Sequence, residues 1–367
     1  MSTNQNNSKK DIFFMNLALH QASRSLGNTK GNPAVGCVIV KNNTLIGAGY
    51  TSINGRPHAE HNAIKSTREV VKNSELYVTL EPCSNYGKTS PCVQKIIRNQ
   101  FKKVYFSIRD PDKRSFNKSS IKLRKSKVIV NIGALSGKIK KFYKSYYLLK
   151  KNALPFVTCK LAVSKDFFTI DKKNYWITNK YSRSRVHLLR SFYDCIMTSS
   201  QTIISDDPLL TCRIYGLERR SPSRIILDNK LRVPAKSKVF KDASKYRTIV
   251  FYNKNNKKKV KKLRALGVRI YKIAINKNGD IDLKKALIKA QSLGFSRIFL
   301  ESGIKLATSF LENKLVNDLK IFIAAKNLNR NGQGCVKKYF RSFLRNKKSI
   351  EERVNLFNER LISYKIK

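Results

Sequence analysis

The chain has 367 residues, 41% of them hydrophobic, enough for the cores of two domains. No run approaches the ~18 uninterrupted apolar residues of a membrane helix, and the polar start "MSTNQNNSKK" lacks the apolar centre of a signal peptide, so a soluble, cytoplasmic protein is expected. Lys and Arg number 76 against 23 Asp and Glu, a formal net charge of +53 that favours phosphorylated metabolites, but no basic module interleaved with aromatics marks a specific nucleic-acid partner.

In chain order, "DIFFMNLALHQASRSLG" places Phe14, Leu17, Ala18, Ala22 and Leu26 near helical spacing and stops at Gly27. "VGCVIV" and "LIGAGY" flank "KNNT" and predict a hairpin. "HAEHNAIKSTREVV" reads as a helix and "ELYVTL" as a strand that runs into "EPC". "PCVQKIIRN" is the next helix, "KKVYFSI" the next strand, and "SKVIVNIG" one more. Alternating strands and helices predict a layered α/β domain over 1–150. The polar "KKN" before Leu154 and Pro155 marks the boundary. Over 151–367, "PFVTCKLAVS", "CIMTS", "RIILD", "RTIVFYN", "VRIYKIA", "RIFLES" and "LKIFIAA" read as strands. The stretches "SRSRVHLLRSFYD", "NKKKVKKLRALG", "DLKKALIKAQSLG" and "IKLATSFLENKL" read as helices. This second α/β domain has the doubly wound look of nucleotide binders, without a G-x-G-x-x-G fingerprint.

The seven cysteines are odd in number, and most sit in apolar runs such as "DCIMT", which suits thiols in a reducing compartment better than disulfides. Two stand apart. Cys83 and Cys92 each follow a proline, and residues after proline can open helices, whose dipole favours thiolate. With His58 they offer the three soft ligands of a catalytic zinc site, which keeps one position open. Glu60 lies two residues beyond His58, placed to move protons between water and a leaving amine. This is the logic of zinc deaminases, H-x-E followed by P-C-x-x-C, except that eight residues separate the two cysteines here. A purely structural zinc site would need a fourth protein ligand, and none is evident near these three.

"NPAVGCVIV", "HAEHNAI" and "LEPCSNYGKTSPC" together resemble the bifunctional riboflavin-biosynthesis deaminase–reductase family, whose second motif is close to LEPCSHxGKTPPC. The resemblance implies a cytidine-deaminase-like N-terminal domain that hydrolyses the exocyclic amino group of a phosphoribosylamino-diaminopyrimidinone. By it, Asn32, Asn85, Lys88 and Asp110 contact the deaminase substrate. Lys88 supplies a point charge for a phosphate, and Asn85 replaces a family histidine on that side. Asp110 also reads as a turn residue before proline.

"KLAVSKD", "YWIT", "HLLRS", "TIISDDPLLTCR" and "LESG" recur in order in the family's reductase domain, which is similar to dihydrofolate reductase. That implies NADPH-dependent reduction of the ribosyl group to ribityl. Carried over by position, Ala162, Trp176, Thr202, Asp206 and Gly303 belong with the cofactor. Asn174, Arg190, Leu210, Arg213 and Glu301 belong with the substrate, the two arginines as phosphate clamps. The segment "SKDFF" departs from the family's S-x-D-G-[KR], with Phe167 and Phe168 after Asp166. That departure motivates an alternative, a deaminase with a decayed, structural reductase domain. The charge motivates another, a nucleic-acid base deaminase or nucleic-acid-binding protein. Oligomeric state is open, a homo-oligomer included.

Overall fold

Asn42 and Asn43 both adopt left-handed backbone, φ 48° and 62°, while Lys41 pairs with Thr44 across them. Asparagine tolerates this region, so "KNNT" closes a two-residue hairpin between β1 (Gly36–Lys41) and β2 (Thr44–Tyr50). A computed structural model of the chain describes residues 8–87, 89–151, 153–254 and 256–367. It divides into two units, Met1–Ala153 and Leu154–Lys367. Among the described residues, no helix is long and apolar enough to cross a membrane.

In the first unit the hairpin joins β3 (Glu75–Leu80), β4 (Lys103–Ile108) and β5 (Ile129–Ile132) in the order β2-β1-β3-β4-β5. β1 is antiparallel to both its neighbours, whereas β3, β4 and β5 are parallel. β3 and β4 are buried along almost their whole length, hence their near-continuous apolar reading. The helix Ala59–Ser66 packs on β2 so closely that a Cβ on Gly49 would lie 2.3 Å from Ala63 N and 2.5 Å from Ala59 O. The absent side chain lets this helix, with His58 as its N-cap, lie flat on the sheet. β3 and β4 release the chain at their carboxyl ends into Glu81–Cys83 and Arg109–Pro111, where parallel sheets place their sites.

The second unit contains β6 (Phe156–Val163), β7 (Phe168–Asp171), β8 (Cys195–Ser199), β9 (Ser223–Leu227), β10 (Thr248–Tyr252), β11 (Arg269–Lys272), β12 (Arg297–Glu301), β13 (Asp318–Ile323), β14 (Gly332–Cys335), β15 (Ser349–Glu351) and β16 (Arg360–Lys365). Nine of them form one sheet, order β11-β10-β9-β8-β12-β6-β13-β16-β15. The run from β11 to β13 is parallel, which matches the doubly wound reading, but β16 and β15 add an antiparallel edge that the sequence pattern did not announce. Alternate residues of the central strands enter two different core clusters: Cys195, Met197, Ile225 and Phe251 one, Ile196, Ile226 and Val250 the other. Period-two alternation with both sides apolar means that both faces of the sheet are covered.

β7 and β14 pair apart from the main sheet. Phe167, at φ 69°, folds its ring against the core, and Phe168 lies where any side chain on Gly332 would collide with it, a Cβ there coming within 2.3 Å of the ring. The "DFF" departure is thus absorbed by the β7–β14 pair.

Candidate functional site

The deaminase-side cluster is assembled from three chain segments. His58 caps the helix Ala59–Ser66, Cys83 follows β3, and Cys92 is the first residue of the helix Cys92–Arg98. Cys92 therefore opens a helix, as a residue after proline can. Cys83 does not: it lies outside any helix or strand, and the helix reaches it differently, through the Cys92 backbone N–H donating to Cys83 Sγ at 3.3 Å.

His58 Nδ1 lies 3.3 Å from Cys92 Sγ and 3.5 Å from Cys83 Sγ, and the three ligand atoms all fall within 4.8 Å of one another. Tetrahedral zinc, with bonds of about 2.0–2.3 Å, sets its ligand atoms roughly 3.5–3.8 Å apart, so the donor set fits that ion in both chemistry and spacing. Glu60 is not a member of the set. It is 3% exposed, and burial raises its carboxyl pKa against the opposing pull of the His58 ring. Contact with the Cys92 thiol, the His58 ring and the Cys92 N–H holds Cys83 far below the usual thiol range, while Cys83 and burial push Cys92 up.

Around this cluster, the Asn32 amide donates to the Thr29 carbonyl at 3.3 Å and abuts Gly55, where a Cβ would sit 2.2 Å from Asn32 Nδ2. The Asn85 amide donates to the Arg114 carbonyl. Lys88 lies outside the described residues. Asp110 is buried, and its Oδ1 accepts from Asp112 N at 2.9 Å and from the Tyr146 hydroxyl at 3.0 Å. The first bond is the turn that a proline-flanked aspartate suggests; burial pushes its pKa up to about 6. Glu81 of "LEPC", which the sequence reading passed over, anchors this loop by accepting from Asp110 N, Asn117 N and the Ser119 hydroxyl at 3.2, 3.1 and 2.6 Å. A buried carboxylate at the end of an apolar strand was the available signal.

In the second unit, one cavity of about 1920 Å³ is lined by all ten residues named for cofactor and substrate: Ala162, Asn174, Trp176, Arg190, Thr202, Asp206, Leu210, Arg213, Glu301 and Gly303. Neither Phe167 nor Phe168 lines it. Gly303 caps the helix Ile304–Glu312, and a Cβ there would meet no protein atom within 4 Å, leaving open space at a helix N-terminus suited to a cofactor phosphate. The floor is a buried ion pair, with Arg190 Nε donating to Glu301 Oε1 at 2.7 Å and Nη2 to Oε2 at 2.9 Å. Arg190 Nη1 donates to the Thr211 carbonyl at 2.8 Å. Arg190, expected as a phosphate clamp, has its guanidinium engaged here with Glu301 and the Thr211 carbonyl. Arg213 is exposed and has no carboxylate partner among the described residues, so it keeps that capacity.

Burial favours the neutral form of Glu301, but Arg190, Lys160 and His187 outweigh it and hold the carboxyl below its ordinary value. Lys160 is a cavity-lining residue that the sequence reading missed. Burial lowers its ammonium pKa while Glu301 opposes that; a charged lysine inside the largely apolar β6 was its signal. Leu210, at φ 55°, lines the cavity while its side chain belongs to the core. Asp171 organises the rim by accepting from Asn174 Nδ2 at 3.0 Å and from Lys326 Nζ at 2.8 Å, and Lys326 also donates to the Trp176 carbonyl at 3.2 Å. Tyr175 donates through its hydroxyl to the Asp206 carbonyl at 2.9 Å.

Residues 8–108 match the cytidine and deoxycytidylate deaminase zinc-binding region, and residues 155–349 match the RibD C-terminal domain. The riboflavin biosynthesis protein RibD of Aquifex aeolicus is 35% identical over 318 residues, covering 86% of this chain and 87% of that one. Its Escherichia coli counterpart is 30% identical over 338 residues, with 89% and 90% covered. Among solved structures, Acinetobacter baumannii RibD superposes with a TM-score of 0.83 at 27% identity, covering 97% of this chain and 99% of that one. A diaminohydroxyphosphoribosylaminopyrimidine deaminase/5-amino-6-(5-phosphoribosylamino)uracil reductase from Thermotoga maritima superposes at 0.81 and 29%, covering 97% and 98%. Both domains, in this order and along nearly the whole length of the relatives, place the chain in the RibD family of bifunctional riboflavin-biosynthesis proteins.

Proposed function

We propose that the chain catalyses two consecutive steps of riboflavin biosynthesis: hydrolytic deamination of 2,5-diamino-6-(5-phosphoribosylamino)pyrimidin-4-one, then NADPH-dependent reduction of the ribosyl group to ribityl. The observation that carries the first step is the convergence of His58, Cys83 and Cys92 beside a buried Glu60. These three residues would hold zinc, which supplies Lewis acidity and makes water nucleophilic near neutral pH. Glu60 does the proton work. Water adds to the carbon bearing the exocyclic amino group, Glu60 takes the proton that water gives up, and it returns that proton to the departing nitrogen. The carbon–nitrogen bond breaks and ammonia leaves. Asn32 stands for the base, and Asn85 and Lys88 for the phosphorylated arm; Asp110 holds its loop through Asp112 and Tyr146.

For the second step the cavity has room for two ligands side by side, well above the ~300–1,000 Å³ of a single small-molecule pocket. NADPH supplies the hydride when bound. Gly303 and the helix behind it seat its phosphates, Thr202 and Asp206 stand along it, and Trp176 offers an exposed face at the rim. Asn174, Glu301, Lys160 and Arg213 face the sugar and its phosphate, with Arg190 fixing Glu301. The test is incubation with the diaminopyrimidine substrate, with and without NADPH, and a mass readout of each product. A gain of about one mass unit without NADPH, NH₂ replaced by OH, together with ammonia release identifies the first step. A further gain of two hydrogens with NADPH identifies the second. An unchanged substrate would overturn the first assignment, and a deaminated product that NADPH leaves untouched would overturn the second.

A further inference from the structure

Arg56 stands two residues before His58, just after the short turn Ile53–Gly55. Its neighbour Gly55, at φ 90°, is pressed against the Asn32 amide. Arg56 itself reaches the loop between the two cysteines. Nη1 donates to the Thr89 hydroxyl, and Nη2 would lie 3.2 Å from a Cβ on Gly87. The guanidinium is therefore laid against the two residues that flank Lys88.

A guanidinium has five N–H donors, and the bond to Thr89 is the only side-chain hydrogen bond of Arg56 among the described residues. No carboxylate pairs with it there. Its basic neighbours are differently placed. Arg114 is clamped by both oxygens of Asp112, at 3.0 and 2.7 Å, and Lys122 donates to the Ser84 carbonyl at 3.0 Å. The loop's neutral Asn85 has its amide turned to the Arg114 carbonyl. Arg56 is thus an uncompensated cation with free planar donors, half-buried beside the site, on the side where the neutral Asn85 brings no charge.

We propose that Arg56 is a phosphate ligand of the deaminase site, gripping the anionic arm of the substrate beside Gly87 and Thr89. The inference rests on the deaminase reading above and makes this arginine a specificity residue of that step. Planar, two-point recognition of phosphate is what guanidinium does best, and a half-buried position shields the contact from salt.

The test uses the zinc-loaded full-length chain, with ammonia release measured on the phosphorylated substrate and on its dephosphorylated form. Arg56→Ala is expected to raise KM for the phosphorylated substrate about 10- to 100-fold, the usual cost of losing a charge-assisted contact. Its kcat stays within about twofold and its KM for the dephosphorylated form is unchanged, since only uniform binding to the remote arm is lost. Arg56→Lys recovers part of the preference. Titration of ribose 5-phosphate, with ribose as the uncharged control, loses one binding event in Arg56→Ala. Equal losses on both substrates, or no loss on either, would overturn the proposal. Zinc content and melting temperature report whether the alanine variant folds. Should it not, Arg56→Gln, neutral and of similar length, is read by the same criteria. No ammonia from the wild-type chain with either substrate overturns the deaminase reading itself, and the role of Arg56 with it.

Discussion

Arg190 and Glu301, 111 residues apart in the chain, meet in the reductase cavity as a parallel two-bond pair in which both side chains are 11% exposed. A pair this buried is unequal in its responses to substitution. Arg190→Ala leaves a carboxylate without its counter-charge and is expected to cost about 3–5 kcal/mol in urea unfolding. The double variant Arg190→Met/Glu301→Leu removes both charges and is expected to recover most of that stability. It recovers no NADPH oxidation with the deaminated intermediate, because the oriented carboxylate is gone. A double variant as unstable as the single one would show that the pair's charges are not what the fold misses.

Glu60→Gln keeps shape and removes the proton carrier. Ammonia release is expected to fall about 10²–10⁴-fold, the range of a lost general acid–base, with zinc content retained. Cys83→Ser should lose zinc and ammonia release together. In both variants, reduction of supplied deaminated intermediate proceeds at the wild-type rate. Metal analysis alongside the two assays separates the carrier from the ligand. A Glu60→Gln protein without zinc would mean that the acid holds the metal site together.

What the sequence disclosed follows from how locally each feature is written. The hairpin at Asn42–Asn43 and the seven parallel strands of the second unit are period and turn signals carried by a few adjacent residues. The His58, Glu60, Cys83 and Cys92 set is written in two short motifs, and the fold had only to bring them together. Arg190 reads identically as a free clamp or a paired one until its partner 111 residues away is known. Asp171 and Lys326 are 155 residues apart, and no periodicity announces that they pin Asn174 and Trp176. β16 and β15 depend on pairing to β13 and to each other, a long-range choice that short polar strands do not reveal.

Burial and the neighbouring Arg190 and Arg213 guanidiniums push the pKa of His187 down to about 4 from an ordinary 6.5. The folded chain therefore keeps this imidazole neutral where the unfolded chain would protonate it. The sign follows: its contribution to stability is fully present above pH about 6.5 and is lost progressively as pH falls towards about 4. His187→Gln should flatten the decline in melting temperature between pH 7.5 and 5 relative to wild type. An equal slope in both proteins would place the acid sensitivity elsewhere.

Gly49 touches no ligand, yet it sets where the ligand-bearing helix lies. A methyl group there would overlap the backbone of Ala59–Ser66 at Ala63 N and Ala59 O, at 2.3 and 2.5 Å, and backbone cannot rotate away as a side chain does. Gly49→Ala is expected to push the helix off β2 at a cost of about 1–3 kcal/mol, the range for overpacking a close contact. His58 at the N-cap and Glu60 in the first turn move with it, while Cys83 and Cys92 belong to other elements and stay. The consequence is a weakened three-point grip: zinc should exchange faster into a competing chelator, and ammonia release should fall by more than the loss of folded protein explains. Reduction of supplied deaminated intermediate is the internal control, since its cavity is lined wholly by the second unit. Chelator exchange at the wild-type rate in a folded Gly49→Ala protein would show that the helix seat is not what holds His58 in place.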